Sequence, residues 1–248
     1  MKILALDSSG LVASVAIAED DKLISEYTVQ YKKTHSQTLL PMLDEVSKMI
    51  ELEIESIDLI AIAKGPGSFT GLRIGAATAK GLAFATKKPI IGIPTIEGLA
   101  YQLYGATQII CPIMDARRGQ VYTGLYQFQP EKNEEHEQFR FMLKEIKEQC
   151  TLQIEEIIEE INQANKSVMF TGDGIPVFES RIAELIRVPY SFAPLHRNRQ
   201  SAAAVAALAF EYYKEGKITK SSEFHPEYLR LSQAERERKE KLSQNADR

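Results

Sequence analysis

ILALDSSGLVASVAIA, residues 3–18, is an apolar run closed by an acid, then a tight polar turn, then a second apolar run rich in Val, Ile and Ala. The unit returns as IICPIMDARRGQVYTGLYQF, residues 109–128. In both copies a strand ends in aspartate and a turn leads to a second strand. Asp7 and Asp115 are counterparts, as are the turns Ser8-Ser9-Gly10 and Ala116–Gly119. Apolar runs bounded by turn formers read as strands joined in hairpins. The repeat therefore predicts two similar halves, each opening on a hairpin with an acid near its tip.

The segments around each copy fit that plan. Lys2–Asp7, Val12–Ala18 and Lys22–Val29 read as three antiparallel strands. A helix is predicted from Ser36 to Leu52, with Leu39, Leu43, Val46 and Ile50 at helical spacing and Pro41 near the start, where a missing N–H costs least. Ile57–Ala63 is a continuous apolar strand of the kind buried on both faces. Helices over 72–87 and 96–104 flank a strand at Ile90–Ile93. After the second hairpin come a helix over 154–165, a strand at Ser167–Thr171, the turn Gly172-Asp173-Gly174 and a helix over 177–186. The alanine-rich helix over 200–215 has side chains small enough to pack closely on the first half. Two such halves joined by a crossover are the plan of the actin/Hsp70/hexokinase class, an α/β fold of duplicated ribonuclease-H-like lobes with mixed sheets. The expected lobes are residues 1–106 with 200–230, and 107–199. Residues 231–248 form a charged tail without an apolar stripe, read as a solvated helix or disordered.

Composition narrows the function. A formal charge of −4 disfavours a protein that binds RNA by itself through phosphate contacts. The two cysteines, Cys111 and Cys150, lack CxxC spacing, which excludes a disulfide scaffold or zinc knuckle and suits a reducing cytoplasm. The chain starts directly on a strand with no room for a signal peptide, and no apolar run reaches the length of a membrane span. A cytoplasmic protein with no membrane contact is expected.

KGPGSFTGLRIGAATAKGLA, residues 64–83, is the most distinctive stretch. It fails the phosphate-binding P-loop, since Leu72-Arg73 follow Gly71 where Lys and Ser/Thr are required. It misses the dinucleotide pattern by one residue, and Phe69 stands where a nucleophile elbow needs serine. The plain reading is a strand-to-helix turn capped by Ser68 or Thr70. That leaves Gly75 and Gly81 inside a helix, each costing about 1 kcal/mol relative to alanine. With Ala76, Ala77, Ala79, Ala83 and Ala85 they suggest close approach by another backbone, within the chain or from a partner.

The four histidines, His35, His136, His196 and His225, show no HxxxH or HExxH spacing, so no metal site is expected. Asp7 and Asp115 could pair around a metal–nucleotide complex, as in sugar kinases. Alternatively, each hydrogen-bonds its own hairpin. Arg117 and Arg118 crowd a place where a phosphate-holding hairpin would want small residues, yet arginine can grip phosphate or a partner's carboxylates.

ILALDSS with SVAIA, His35-Ser36 with Leu39-Leu40-Pro41, GPGSFTGLRIGAATAKGLA, DARRGQVY and HPEYLR together resemble the TsaB (YeaZ) family of bacterial tRNA threonylcarbamoyladenosine biosynthesis proteins. The resemblance is dense over residues 1–128, thins through 129–198 and returns at 226–230; the tail has no match. It implies a two-lobed actin/Hsp70-like fold and a scaffold or activator subunit that is not itself an enzyme. Such a subunit is required for threonylcarbamoyl transfer to the adenosine beside the anticodon in tRNAs reading codons that begin with A. It implies a catalytic TsaD-like partner carrying the metal, a TsaE-like ATPase, ATP or ADP on the partners with no cofactor on this chain, tRNA reached only through the complex, and a homodimer when the partner is absent. It places the partner-binding surface on first-lobe helices, with Arg73, Gly75, Ala76, Ala79 and Ala83 as candidates. Asp7, Ser8, Asp115, Arg117 and Arg118 are then vestigial phosphate-hairpin or anion contacts. An enzyme acting through Asp7, either a kinase-like phosphotransferase or a protease, and a purely homodimeric structural protein are the competing readings.

Overall fold

The computed structural model describes residues 1–132 and 139–230; His136 and the 231–248 tail lie outside the described residues. Among the described residues the strands and helices run β1 (Lys2–Asp7), β2 (Ala13–Glu19), β3 (Lys22–Val29), α1 (His35–Met49), β4 (Leu59–Gly65), α2 (Phe69–Thr86), β5 (Ile90–Pro94) and α3 (Thr95–Tyr101). Then come β6 (Ile109–Arg117), β7 (Gln120–Lys132), β8 (Phe139–Gln153), α4 (Ile154–Ala164), β9 (Val168–Thr171), α5 (Ile175–Leu185), β10 (Tyr190–Phe192) and α6 (Ala202–Lys214).

The chain folds as the repeat predicts. One sheet has the order β3-β2-β1-β4-β5 and the other β10-β9-β6-β7-β8. In each, three strands form an antiparallel meander and the next two join in parallel after a helical crossover. The duplicated fold is therefore α/β with two mixed sheets.

Each sheet is buried on both faces, which is why β1 and β4 read as unbroken apolar runs. On one side of the first sheet, Leu4, Leu6 and Ile62 pack with Leu39, Val46, Ala76 and Ala79 of α1 and α2. On the other, Ile3, Ala5, Ala61 and Ile91 meet Ala202, Val205, Ala206 and Ala209 of α6, the close packing its alanines predict. The second sheet repeats this arrangement, with α4 and α5 on one side and α3 on the other.

Two strands escaped the sequence reading. β8 is an edge strand with few buried positions, so its FRFMLKEIKEQCTLQ lacks a clean alternation. β10 has only three residues and exists because β9 offers it a parallel edge. After α6 the chain turns back along the first sheet. Ile90 and Thr219 exchange backbone hydrogen bonds, Phe224 is buried in the first core, and the Glu227 N–H donates to the Lys64 carbonyl at 2.7 Å.

Candidate functional site: the hairpins and the glycine helix

The first hairpin tip is held by its own chain. Asp7 Oδ1 accepts from the Ser9 amide (2.9 Å) and the Ser9 hydroxyl (2.6 Å). The Ser8 hydroxyl donates to the Gly71 carbonyl, and the Ser68 N–H, at the start of α2, donates to the Ser9 carbonyl. A Cβ added at Gly67, Gly71 or Gly75 would overlap Ser9 or Ser8. These three glycines let the hairpin sit directly on the loop and helix.

From the second lobe, Asp173 Oδ2 receives the Gln200 side-chain amide at 3.3 Å and lies 3.4 Å from the Leu11 nitrogen. His35 Nε2 lies 2.9 Å from the Gly10 carbonyl oxygen. Gln200, 2% exposed, seals the gap between hairpin and second lobe. Burial raises the Asp7 carboxyl to about 6 despite its two bonds from Ser9, and nearby Asp173 adds to the rise. Asp173 is raised too, by burial first, with Gln200 and Leu11 opposing.

Asp115, in the second hairpin, accepts from the Arg117 N–H at 2.7 Å and pairs with its guanidinium at 2.9 Å. Each aspartate thus bonds its own hairpin, the simpler of the two alternatives. Arg117 and Arg118 both have positive φ, at 67° and 59°, and Arg230 donates to the carbonyls of Ala116 and Arg117. A cavity of about 680 Å³ opens between α3, α6 and the second lobe, lined by Tyr101, Tyr104, Met169, Arg197 and Ala204. None of Asp7, Ser8, Asp115, Arg117 or Arg118 lines it. Among the described residues no three His, Cys, Asp or Glu side chains are grouped to hold a metal, and no helix is long and apolar enough to cross a membrane.

The helix α2 candidates divide by face. Gly75, Ala76, Ala79 and Ala83 are buried against the chain's own first sheet and hairpin, so they offer nothing to a partner. Only Arg73 of the five is exposed. The outward stripe is instead Arg73, Ala77, Gly81 and Phe84, spaced for one helical face. Phe84 is 82% exposed, and a Cβ at Gly81 would meet nothing within 4 Å. On neighbouring α1, Leu40 and Met49 are exposed as well. Spacing alone shows that α2 has two faces but not which one the sheet takes. Gln200 carried no local signal, and Phe69 and Tyr228 were visible only as members of GPGSFTGLR and HPEYLR, not as a pair.

Comparison with known proteins agrees with this architecture. The TsaD family model, described as tRNA N6-adenosine threonylcarbamoyltransferase, matches residues 22–238. A Bacillus subtilis protein named tRNA threonylcarbamoyladenosine biosynthesis protein TsaB is 32% identical over 240 residues, covering 95% of this chain and 96% of that one. A tRNA N6-adenosine threonylcarbamoyltransferase of Protochlamydia amoebophila is 44% identical over 69 residues, 28% of this chain and 20% of that one. A Pseudomonas aeruginosa crystal structure, titled as an uncharacterized protein with similarity to peptidase YEAZ, superposes with a TM-score of 0.74 at 26% identity, covering 92% of this chain and 99% of that one. With a relative matched along nearly its whole length and the same two-lobed fold, this chain belongs to the TsaB family of tRNA threonylcarbamoyladenosine biosynthesis proteins.

Proposed function

We propose that this chain is a non-catalytic partner subunit required for threonylcarbamoyl transfer to tRNA adenosine, and that it docks on a TsaD-like transferase through the outer face of α2. The observation that carries the reading is Gly81. A helical glycine costs about 1 kcal/mol relative to alanine, and none of the described residues uses the space it leaves. A close-packed helix from another subunit would use it, with Ala77 beside it and Phe84 as an apolar anchor. A tRNA N6-adenosine threonylcarbamoyltransferase that is 44% identical to this chain over 69 residues supports pairing between related subunits, much as two copies of one would pair.

The non-catalytic part of the reading is supported by the hairpin acids, since Ser9 engages Asp7 Oδ1 and Arg117 engages both oxygens of Asp115. In this scheme the metal, ATP or ADP and the TsaE-like ATPase belong to the partner side, tRNA is reached through the complex, and two copies pair by the same face when the partner is absent. Gly81→Leu tests it. The substitution adds bulk where this chain has room and replaces a poor helix former with a good one. The variant is expected to fold normally and to lose co-elution with the TsaD-like subunit in size-exclusion chromatography. Undiminished co-elution rejects docking through this face.

A further inference from the structure

We propose that Arg73 is the charged anchor of this face, held by the C-terminal segment for a carboxylate on the TsaD-like partner; the inference rests on the partner-subunit reading above. The Arg73 guanidinium carbon lies 4.8 Å from the centroid of the Phe69 ring. Phe69 stacks in turn on Tyr228, with centroids 4.1 Å apart and planes 13° from parallel. Cation, ring and ring form one column at the N-terminal end of the exposed stripe.

The segment bearing Tyr228 is fixed on both sides of the ring. Upstream, Phe224 sits in the first core and its carbonyl receives the Lys80 ammonium at 3.0 Å. At Glu227 the backbone bonds Lys64 and the carboxylate pairs with the Lys64 ammonium at 3.0 Å. Downstream, Arg230 bonds the carbonyls of Ala116 and Arg117 in the second hairpin. Tyr228 therefore has little freedom, and the Phe69 ring between it and Arg73 has little more.

Arg73 is exposed and pairs with no carboxylate among the described residues. A guanidinium over a ring face keeps its N–H donors, which lie in its own plane, free to fork onto a carboxylate. Holding the side chain in place beforehand removes part of the ordering cost of binding, and arginine and tyrosine are the residue types on which interface energy concentrates. The rest of the stripe argues for a protein carboxylate over a nucleic-acid phosphate. Ala77, Gly81 and Phe84 are apolar, and adjacent Lys80 is engaged with Phe224. A phosphate-tracking surface would string several cations together.

The test is titration calorimetry against the purified TsaD-like subunit at low and high salt, with thermal melts of each variant alone. Arg73→Gln, a change at an exposed position, is expected to weaken binding by about tenfold or more and to flatten its salt dependence. Tyr228→Ala should weaken binding in the same way without adding to Arg73→Gln in the double variant, and Tyr228→Phe should bind as the parent does. If Arg73→Gln keeps parental affinity and salt slope while Phe84→Asp abolishes binding, the charged anchor is overturned and docking through α2 stands. If Tyr228→Ala folds and binds normally, positioning by the C-terminal segment is overturned. If the parent chain does not bind at all, both readings fall.

Discussion

Asp7 is a buried acid with hydrogen bonds but no cation beside it among the described residues. Its carboxyl is raised from 3.8 to about 6, chiefly by burial. The folded state therefore holds this proton more tightly than the unfolded chain does. Between about pH 4 and 6 the unfolded state loses it first, so the ionising carboxylate erodes stability as pH rises through that window, and the penalty is constant above it. Asp7→Asn removes the charge and keeps an oxygen where both Ser9 donors point, since both bonds end on Oδ1. At roughly 1.4 kcal/mol per pH unit, less the cost of burying the new amide N–H groups, the variant should be more stable by about 1–2 kcal/mol at pH 7.5. Paired melts at pH 7.5 and pH 4 check this: the gain should appear at the first and vanish at the second. A less stable variant at pH 7.5 would mean that the carboxylate is stabilised in a way these bonds do not account for. The acid at the strand end was legible in the repeat; its burial with Asp173 nearby was not, because Asp173 arrives from the second lobe.

Helix α2 holds two glycines for two different reasons. At Gly75 the neighbour is Ser8 of the first hairpin, and at Gly81 the described residues supply none. Leucine should act oppositely at the two positions. Gly75→Leu forces a side chain into Ser8 and Ile62 and is expected to destabilise the isolated chain by about 3 kcal/mol. Gly81→Leu should leave it unchanged or raise its stability by up to about 1 kcal/mol. Urea denaturation of the two variants separates them, and equal midpoints would contradict the packing of the hairpin on α2. The same element marks a limit of reading by pattern. Both faces of α2 are lined with small residues, so periodicity does not distinguish the face that meets the sheet from the face left open. β8 shows a related limit: an edge strand half in water has no strong apolar period to find.

At the scale of the whole molecule, the two halves share a strand order and a pattern of helices on both faces, and the C-terminal segment crosses from the first core to the second hairpin. A subunit whose hairpin acids are engaged internally and whose open face is an apolar helix should be needed by the reaction and inert without its partners. Reconstitution of tRNA modification from the TsaD-like transferase, the TsaE-like ATPase and a supplied threonylcarbamoyl donor should require this chain, and the chain alone should modify nothing. Full modification in its absence would remove it from the reaction.

The repeat of strand, aspartate and turn, with its helical and apolar periods, pointed to the fold class and the order of most elements, because those signals are local and the hairpin unit carries them twice, while the resemblance carried by GPGSFTGLRIG, DARRGQVY and HPEYLR pointed to the family. The GPGSFTGLR stretch and the hairpin acids were likewise visible as special. Only the tertiary structure decided what they are special for. Gly67, Gly71 and Gly75 serve Ser8 and Ser9, Asp7 and Asp115 serve their own hairpins, and the face of α2 left exposed carries Arg73, Ala77, Gly81 and Phe84. Such assignments depend on which distant backbone fills each space, and that is set when sheet, hairpin and C-terminal segment close on the same helix.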